Sequence, residues 1–159
     1  MTKICTILVG PPASGKSTWA YEATKSEDKT FILSTDDTID EIVKLYGLTY
    51  SDDFKNLIGF AEQVMWNDLR TFANHGYHLY VDRTNMSVAA RKKFIDALKP
   101  YGYVFEAVVF PKPQDEDYEV RLNSRPGKII PEAVVNGMLA SFQMPTEDEG
   151  FESITVIEN

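Results

Sequence analysis

Leu8–Ala20 reads LVGPPASGKSTWA, and Gly10–Ser17 matches G-x-x-x-x-G-K-[ST] at every fixed position. Such a loop turns successive backbone N–H groups inward around phosphate oxygens, at the positive end of the helix that follows. Gly10, Pro12, Ala13, Ser14, Gly15 and Thr18 supply the cradle. Lys16 is placed to bridge the β- and γ-phosphates, and the Ser17 hydroxyl to ligand Mg²⁺. A glycine turn that merely preceded a helix would need no lysine followed by serine. Binding of ATP or GTP is the implied chemistry.

A phosphate loop serves GTPases, motor ATPases and small kinases alike. The base-reading N-K-x-D of GTPases is absent from the chain, and a motor ATPase usually needs a longer one than these 159 residues. A compact phosphotransferase is the remaining expectation. It requires an acceptor-side carboxylate and a mobile basic segment.

Asp36 and Asp37, in STDD, supply carboxylates that can take the proton of an acceptor hydroxyl as it attacks the γ-phosphate. Acidic residues also suit a helix N-terminus through its dipole, and both roles are open to the pair. In YVDRTN, Tyr80–Asn85, Asp82 ends a strand at the edge where open parallel sheets meet ligands. It reads either as the holder of a metal-bound water or as a cap on the turn through Thr84 and Asn85. Arg91, Lys92 and Lys93 read as a solvated helix face. In RLNSRPGK, Arg121 and Arg125 with Lys128 flank Pro126-Gly127, a hinge-like pair. This segment, about 121–130, is expected to be a lid whose arginines neutralise charge on the moving phosphoryl group.

These stretches are carried by alternating apolar and polar segments. Strands are expected at Lys3–Val9, Thr30–Ser34, Tyr77–Val81, Tyr103–Phe110 and Ser153–Glu158. Helices are expected at Ser17–Lys25, at Asp36–Tyr46 with Gly47 as its end, and from Ser51 as N-cap to Gly76. Further helices run from Ser87 to about Leu98, from about Gln114, and over Glu132–Phe142 behind Pro131. Alternation of this kind predicts a parallel sheet covered on both faces, in one domain over residues 1–159.

The net charge is -8, which argues against tracking along a long stretch of nucleic acid, although a local cationic pocket suffices to hold one end. No apolar run spans a bilayer and Met1–Ile4 lacks a signal-peptide pattern, so no membrane partner is expected. The single cysteine, Cys5, reads as a small core residue and fits a reducing cytoplasm.

GPPASGKST, STDD, VDRTN, RLNSRPGKIIPE and SFQMPTEDEGFESITVI occur in the order found in polynucleotide kinases of the phage and animal repair type. The chain resembles their 5′-hydroxyl kinase domain over nearly its whole length. The resemblance implies a three-layer α/β P-loop kinase with sheet order 2-3-1-4-5 and a helical lid. It also implies ATP, Mg²⁺ and transfer of the γ-phosphate to a nucleic-acid 5′-hydroxyl end. Single-stranded ends are the expected substrate because nothing in the sequence looks like a wedge for opening a duplex. By the same resemblance Asp36 is the general base, Arg125 the lid arginine on the ATP phosphates and Arg121 its helper. Two departures stand out. Thr35 and Ile39 occupy positions where the phage enzymes carry arginines, leaving Arg83 and Thr84 as candidates to hold the acceptor. The D-x-D-G-T motif of the repair enzymes' phosphatase domain is absent from the chain. The competing readings are a kinase of the same fold acting on a hydroxymethylated base or a small-molecule hydroxyl, and a nucleotide-binding module without transfer.

Overall fold

A computed structural model describes residues 2–125 and 127–158. Pro126, half of the expected hinge, lies outside the described residues. The strands are β1 (Lys3–Val9), β2 (Thr30–Leu33), β3 (His78–Val81), β4 (Tyr103–Val109) and β5 (Phe151–Val156). The helices are α1 (Lys16–Lys25), α2 (Thr35–Tyr46), α3 (Tyr50–Asn74), α4 (Val88–Leu98), α5 (Asp115–Asn123) and α6 (Glu132–Ala140). The five strands form one sheet in the order β2-β3-β1-β4-β5, and every pairing is parallel.

The sheet carries apolar residues on both faces because helices cover both. Cys5, Ile7 and Val9 of β1 lie with Leu79, Val81, Phe105 and Ala107 on one face. That face packs on Met65, Leu69 and Ala73 of α3 and on Phe94, Ile95 and Leu98 of α4. Leu8 and Val108 point the other way, against Ala20 and Trp19 of α1. Cys5 is fully buried, and burial pushes its thiol well above the usual range, so it is a core residue. Among the described residues no helix is long and apolar enough to cross a membrane.

Several element ends differ from the sequence expectation. β2 stops at Leu33 because Ser34 leaves the ladder to cap α2, its hydroxyl accepting from the Asp37 N–H. α3 is capped by Thr49, not Ser51: the Thr49 hydroxyl accepts from the Asp52 N–H, while the Ser51 hydroxyl is engaged with residues 127 and 129. α6 ends at Ala140, and β5 begins at Phe151, beside a register shift in β4.

The larger correction concerns Arg91. It is not on a solvated face but has no exposed surface at all. Its guanidinium holds both carboxylate oxygens of Glu149, at 2.8 and 3.1 Å, and donates to the Asn85 carbonyl at 2.8 Å. The segment before β5 is thereby tied to the turn that follows Asp82.

Candidate active site

β1, β2 and β3 end at the same sheet edge, and the loops leaving them meet there. The Asp82 N–H donates to the Leu33 carbonyl and the Gly10 N–H to the Thr84 carbonyl, both at 2.9 Å. Above this edge lies a cleft of about 960 Å³.

The phosphate loop forms its floor. Gly10 fixes where the loop starts: a β-carbon there would sit 2.7 Å from the Phe110 carbonyl oxygen and 2.9 Å from the Ser14 hydroxyl. Gly10 therefore does not line the cleft; it lets the loop close against the end of β4. Gly15 caps α1 at φ 99°, a left-handed conformation that suits glycine, and Ala13 sits in the same region at φ 59°. Pro12, Ala13, Ser14, Gly15, Lys16, Ser17 and Thr18 all line the cleft.

Lys16 is buried inside its own loop, donating to the Pro11 carbonyl at 2.7 Å. Burial pushes its ammonium down to about 8, against the opposing pull of Asp82 and Asp36, with a further push from Arg125. The Ser17 hydroxyl donates to Asp82 at 2.6 Å. Burial raises the Asp82 carboxyl although Ser17 and Lys16 pull it down. Asp82 thus partners the cradle rather than capping the turn, and Asn85 stabilises that turn through the Leu8 carbonyl, 2.8 Å away. Ser17 and Asp82 together offer the hard oxygen donors that Mg²⁺ takes beside phosphate oxygens. Among the described residues there is no group of three or more His, Cys, Asp or Glu able to hold a metal without a ligand's help.

Asp36 and Asp37, in the first turn of α2, both line the cleft. Tyr50, the first residue of α3, donates its hydroxyl to Asp36 at 2.5 Å. Burial and the Asp36 carboxylate push the Tyr50 phenol well up, so it stays a donor. Asp37 is raised by burial first and then by Asp82, Asp40 and Asp36, with Lys128 opposing.

Arg121 on α5 and Arg125 beyond it reach the cleft from the opposite side. Among the described residues, Nη1 of Arg125 is buried without a hydrogen-bond partner. A guanidinium nitrogen of this kind in a cleft shared with Lys16 suits an anion. The segment behind it is docked on α2 and α3. Ser51 donates to the Gly127 carbonyl through its N–H (2.9 Å) and hydroxyl (2.8 Å), and the Ile129 N–H donates to Ser51 Oγ at 2.7 Å. Lys128 donates to Asp40 at 2.6 Å and lies 5.0 Å from the Tyr50 ring centre.

Arg83 and Thr84 border the acceptor side, but the Arg83 guanidinium is paired with Glu62 of α3 at 3.0 Å. Phe54 and Ile58, on the apolar side that the three- and four-residue spacing of α3 gives, and Tyr50, which precedes the helix expected from Ser51, pack against Ile39, Val43 and Ala61 and also line the cleft.

A family profile described as an AAA domain matches residues 6–145. The human heterogeneous nuclear ribonucleoprotein U-like protein 2 is 24% identical over 157 residues, 94% of this chain. The chain spans 21% of that protein's length. Among solved structures, a chain from the PezAT toxin–antitoxin system of Streptococcus pneumoniae superposes with a TM-score of 0.70 at 20% identity, over 98% of this chain and 66% of that one. A putative kinase from Chloroflexus aurantiacus gives 0.71 at 14% identity, over 98% and 85%. A chain of the Pnkp1/Rnl/Hen1 RNA repair complex gives 0.67 at 19%, over 88% and 44%. The fold recurs at lower likeness in a fungal RNA kinase (0.59, 12% identical, 99% and 75% covered) and in a Sinorhizobium meliloti gluconokinase (0.52, 15%, 99% and 85%).

Proposed function

The chain belongs to the AAA-domain family and has the P-loop kinase fold, and from that premise we propose that it transfers the γ-phosphate of ATP to the 5′-hydroxyl end of a polynucleotide. One observation carries the reading. A single cleft is lined by the phosphate-loop Lys16 and Ser17, by the Asp36 and Asp37 carboxylates and by Arg125. A module that only sensed nucleotide would need no acceptor-side carboxylate. The motif order from the phosphate loop to SFQMPTEDEGF supports a polynucleotide acceptor; the fold itself, shared with a fungal RNA kinase and a gluconokinase, does not choose between acceptors.

In this reading Asp36 takes the proton of the acceptor hydroxyl as its oxygen attacks the γ-phosphorus. The bond from that phosphorus to the β,γ-bridging oxygen breaks, and ADP leaves. Asp36 suits the task because Tyr50 occupies one of its oxygens and fixes its orientation. Lys16 and Arg125 balance charge that spreads over the transferred group. Mg²⁺ would be held by Ser17 with Asp82 behind it and would supply charge neutralisation to the polyphosphate.

The Arg83–Glu62 pair favours a second reading, because an arginine already paired grips a phosphate strand less readily. Under it the acceptor is a hydroxymethylated base or a small-molecule hydroxyl. Incubation with γ-labelled ATP, Mg²⁺ and 5′-hydroxyl oligonucleotides, hydroxymethylated DNA and sugars separates the two. Label on the 5′ end is the expected result, falling only gently with added salt because few phosphates are held. Label only on a base or a sugar refutes it.

A further inference from the structure

α3 presents Tyr50, Phe54, Ile58 and Glu62 at four-residue steps, so the four share one stripe of the helix. The first three pack on Ile39, Val43 and Ala61 and also line the cleft, and the fourth holds Arg83. The Tyr50 and Phe54 rings lie 5.4 Å apart, tilted by 38°, with the Lys128 ammonium over the Tyr50 ring at 5.0 Å. Tyr50 also touches Asp36, the proposed base, so the stripe starts at the reacting hydroxyl and runs away from it. From Tyr50 to Ile58 the helix rises about 12 Å, room for one nucleoside and not for a strand.

The composition of this wall discriminates between acceptors. A polyol must find a polar partner for each of several hydroxyls, and each one left unpaired in a desolvated site weakens binding. Between Tyr50 and Ile58 the stripe offers a single polar group, the phenol, and Asp36 already engages it; the cleft's other polar side chains, among them Thr35, Asp37, Thr84 and Lys128, stand on other segments. A nucleobase face needs only π and dispersion contact, which aromatic rings supply without regard to sequence. Beyond Ile58 the Arg83–Glu62 pair remains partly exposed, at 29% and 43% of side-chain surface. It can exchange its carboxylate for one phosphodiester.

We propose that Phe54 and Ile58, with Tyr50 at their Asp36 end, form a platform on which the base of the 5′-terminal residue stacks while its hydroxyl faces Asp36. The proposal rests on the kinase reading above. It makes the acceptor a nucleic-acid end recognised by its last base, with Arg83 meeting the first phosphate.

The test compares two 5′-hydroxyl oligonucleotides, in DNA and RNA form, one with an ordinary terminal residue and one whose terminal residue is abasic. The wild-type protein should favour the base-bearing end by at least about fivefold in kcat/KM. Phe54→Leu, which keeps apolar bulk and removes a π-face, should shrink that preference. A wild-type measurement guards against a misfolded variant: 2-aminopurine at the 5′ terminus should be quenched when the ADP complex binds the strand, and the same probe several residues inward should not. Equal use of both ends, an undiminished preference in folded Phe54→Leu, or an unquenched terminal probe each overturns the platform and leaves the kinase reading standing. Absence of transfer to either end overturns both.

Discussion

The Ser17 hydroxyl donates to the Asp82 carboxylate at 2.6 Å, joining the phosphate cradle on α1 to the end of β3. The pair spans 65 residues of sequence and two elements that neighbour one another only because β1 and β3 pair directly. Ser17→Ala and Asp82→Asn should each raise the Mg²⁺ concentration needed for half-maximal transfer, with turnover falling about 10²-fold, the scale of losing one preorganised electrostatic contact. A Mg²⁺ titration unchanged in Asp82→Asn would reduce Asp82 to a structural partner.

Lys16 gives ATP binding a pH dependence. Burial holds its ammonium near a pKa of about 8, so the free protein loses this charge as pH rises through that value. Bound polyphosphate favours the charged form. Above about pH 8 each binding event must therefore take up a proton, and affinity should fall by up to tenfold per pH unit. Calorimetric titration in two buffers of different ionisation enthalpy should detect uptake near pH 9 and little near pH 7. Lys16→Ala should lose at least about 10²-fold in turnover. Wild-type turnover in that variant would sink the phosphate-loop assignment.

Asp36 and Asp37 separate by single substitutions. Asp36→Asn keeps the shape of the side chain and removes proton acceptance, so transfer should collapse while ATP still binds. Asp37 lies among the Asp82, Asp40 and Asp36 carboxylates, and Asp37→Asn relieves that repulsion at a smaller cost in turnover. If Asp37→Asn is the inactive variant, the base is Asp37.

Arg125 lines the cleft and has a buried nitrogen with no partner among the described residues. Arg125→Ala should lower kcat more than it weakens ATP binding, because the contact gains value as charge develops. The docked segment behind it depends on Ser51, whose hydroxyl accepts the Ile129 N–H. Ser51→Ala should speed hydrogen exchange at Ile129. Unchanged exchange there would mean that the docking is held by Lys128 and Asp40 instead.

The buried Arg91–Glu149 pair has a sharp stability signature. Arg91→Ala leaves a nearly buried carboxylate unpaired and should cost about 3–5 kcal/mol, whereas replacing both partners with apolar residues should recover much of it. Urea unfolding of the single and double variants gives the two values directly.

The phosphate loop and the sheet were legible in the sequence because their signals are local. The loop has fixed spacing, and buried parallel strands are short apolar runs. Arg91 was not legible. Its partner lies 58 residues away, and a basic residue beside Lys92 and Lys93 looks solvated until the fold brings Glu149 to it. Ser51 failed for a similar reason: it and Thr49 both suit a cap, and only the distant 127–129 segment assigns Ser51 another task. Phe54 and Ile58 follow the apolar period of α3, whereas Tyr50 precedes the helix expected from Ser51; periodicity tells which residues share a face, and this face meets both the Ile39, Val43 and Ala61 cluster and the cleft.

The burial of Cys5 has a practical corollary. It is the sole cysteine of the chain, lies in β1 without exposed surface, and its thiol resists ionisation. Thiol-reactive reagents attack the thiolate, so the native protein is silent to maleimide dyes and spin labels. One cysteine introduced at exposed Asn123, at the end of α5, and another at exposed Lys99, beyond α4, would be the only sites labelled. The separation between the two reporters, read by fluorescence transfer with and without ATP, would follow the arginine-bearing segment in an otherwise unaltered background.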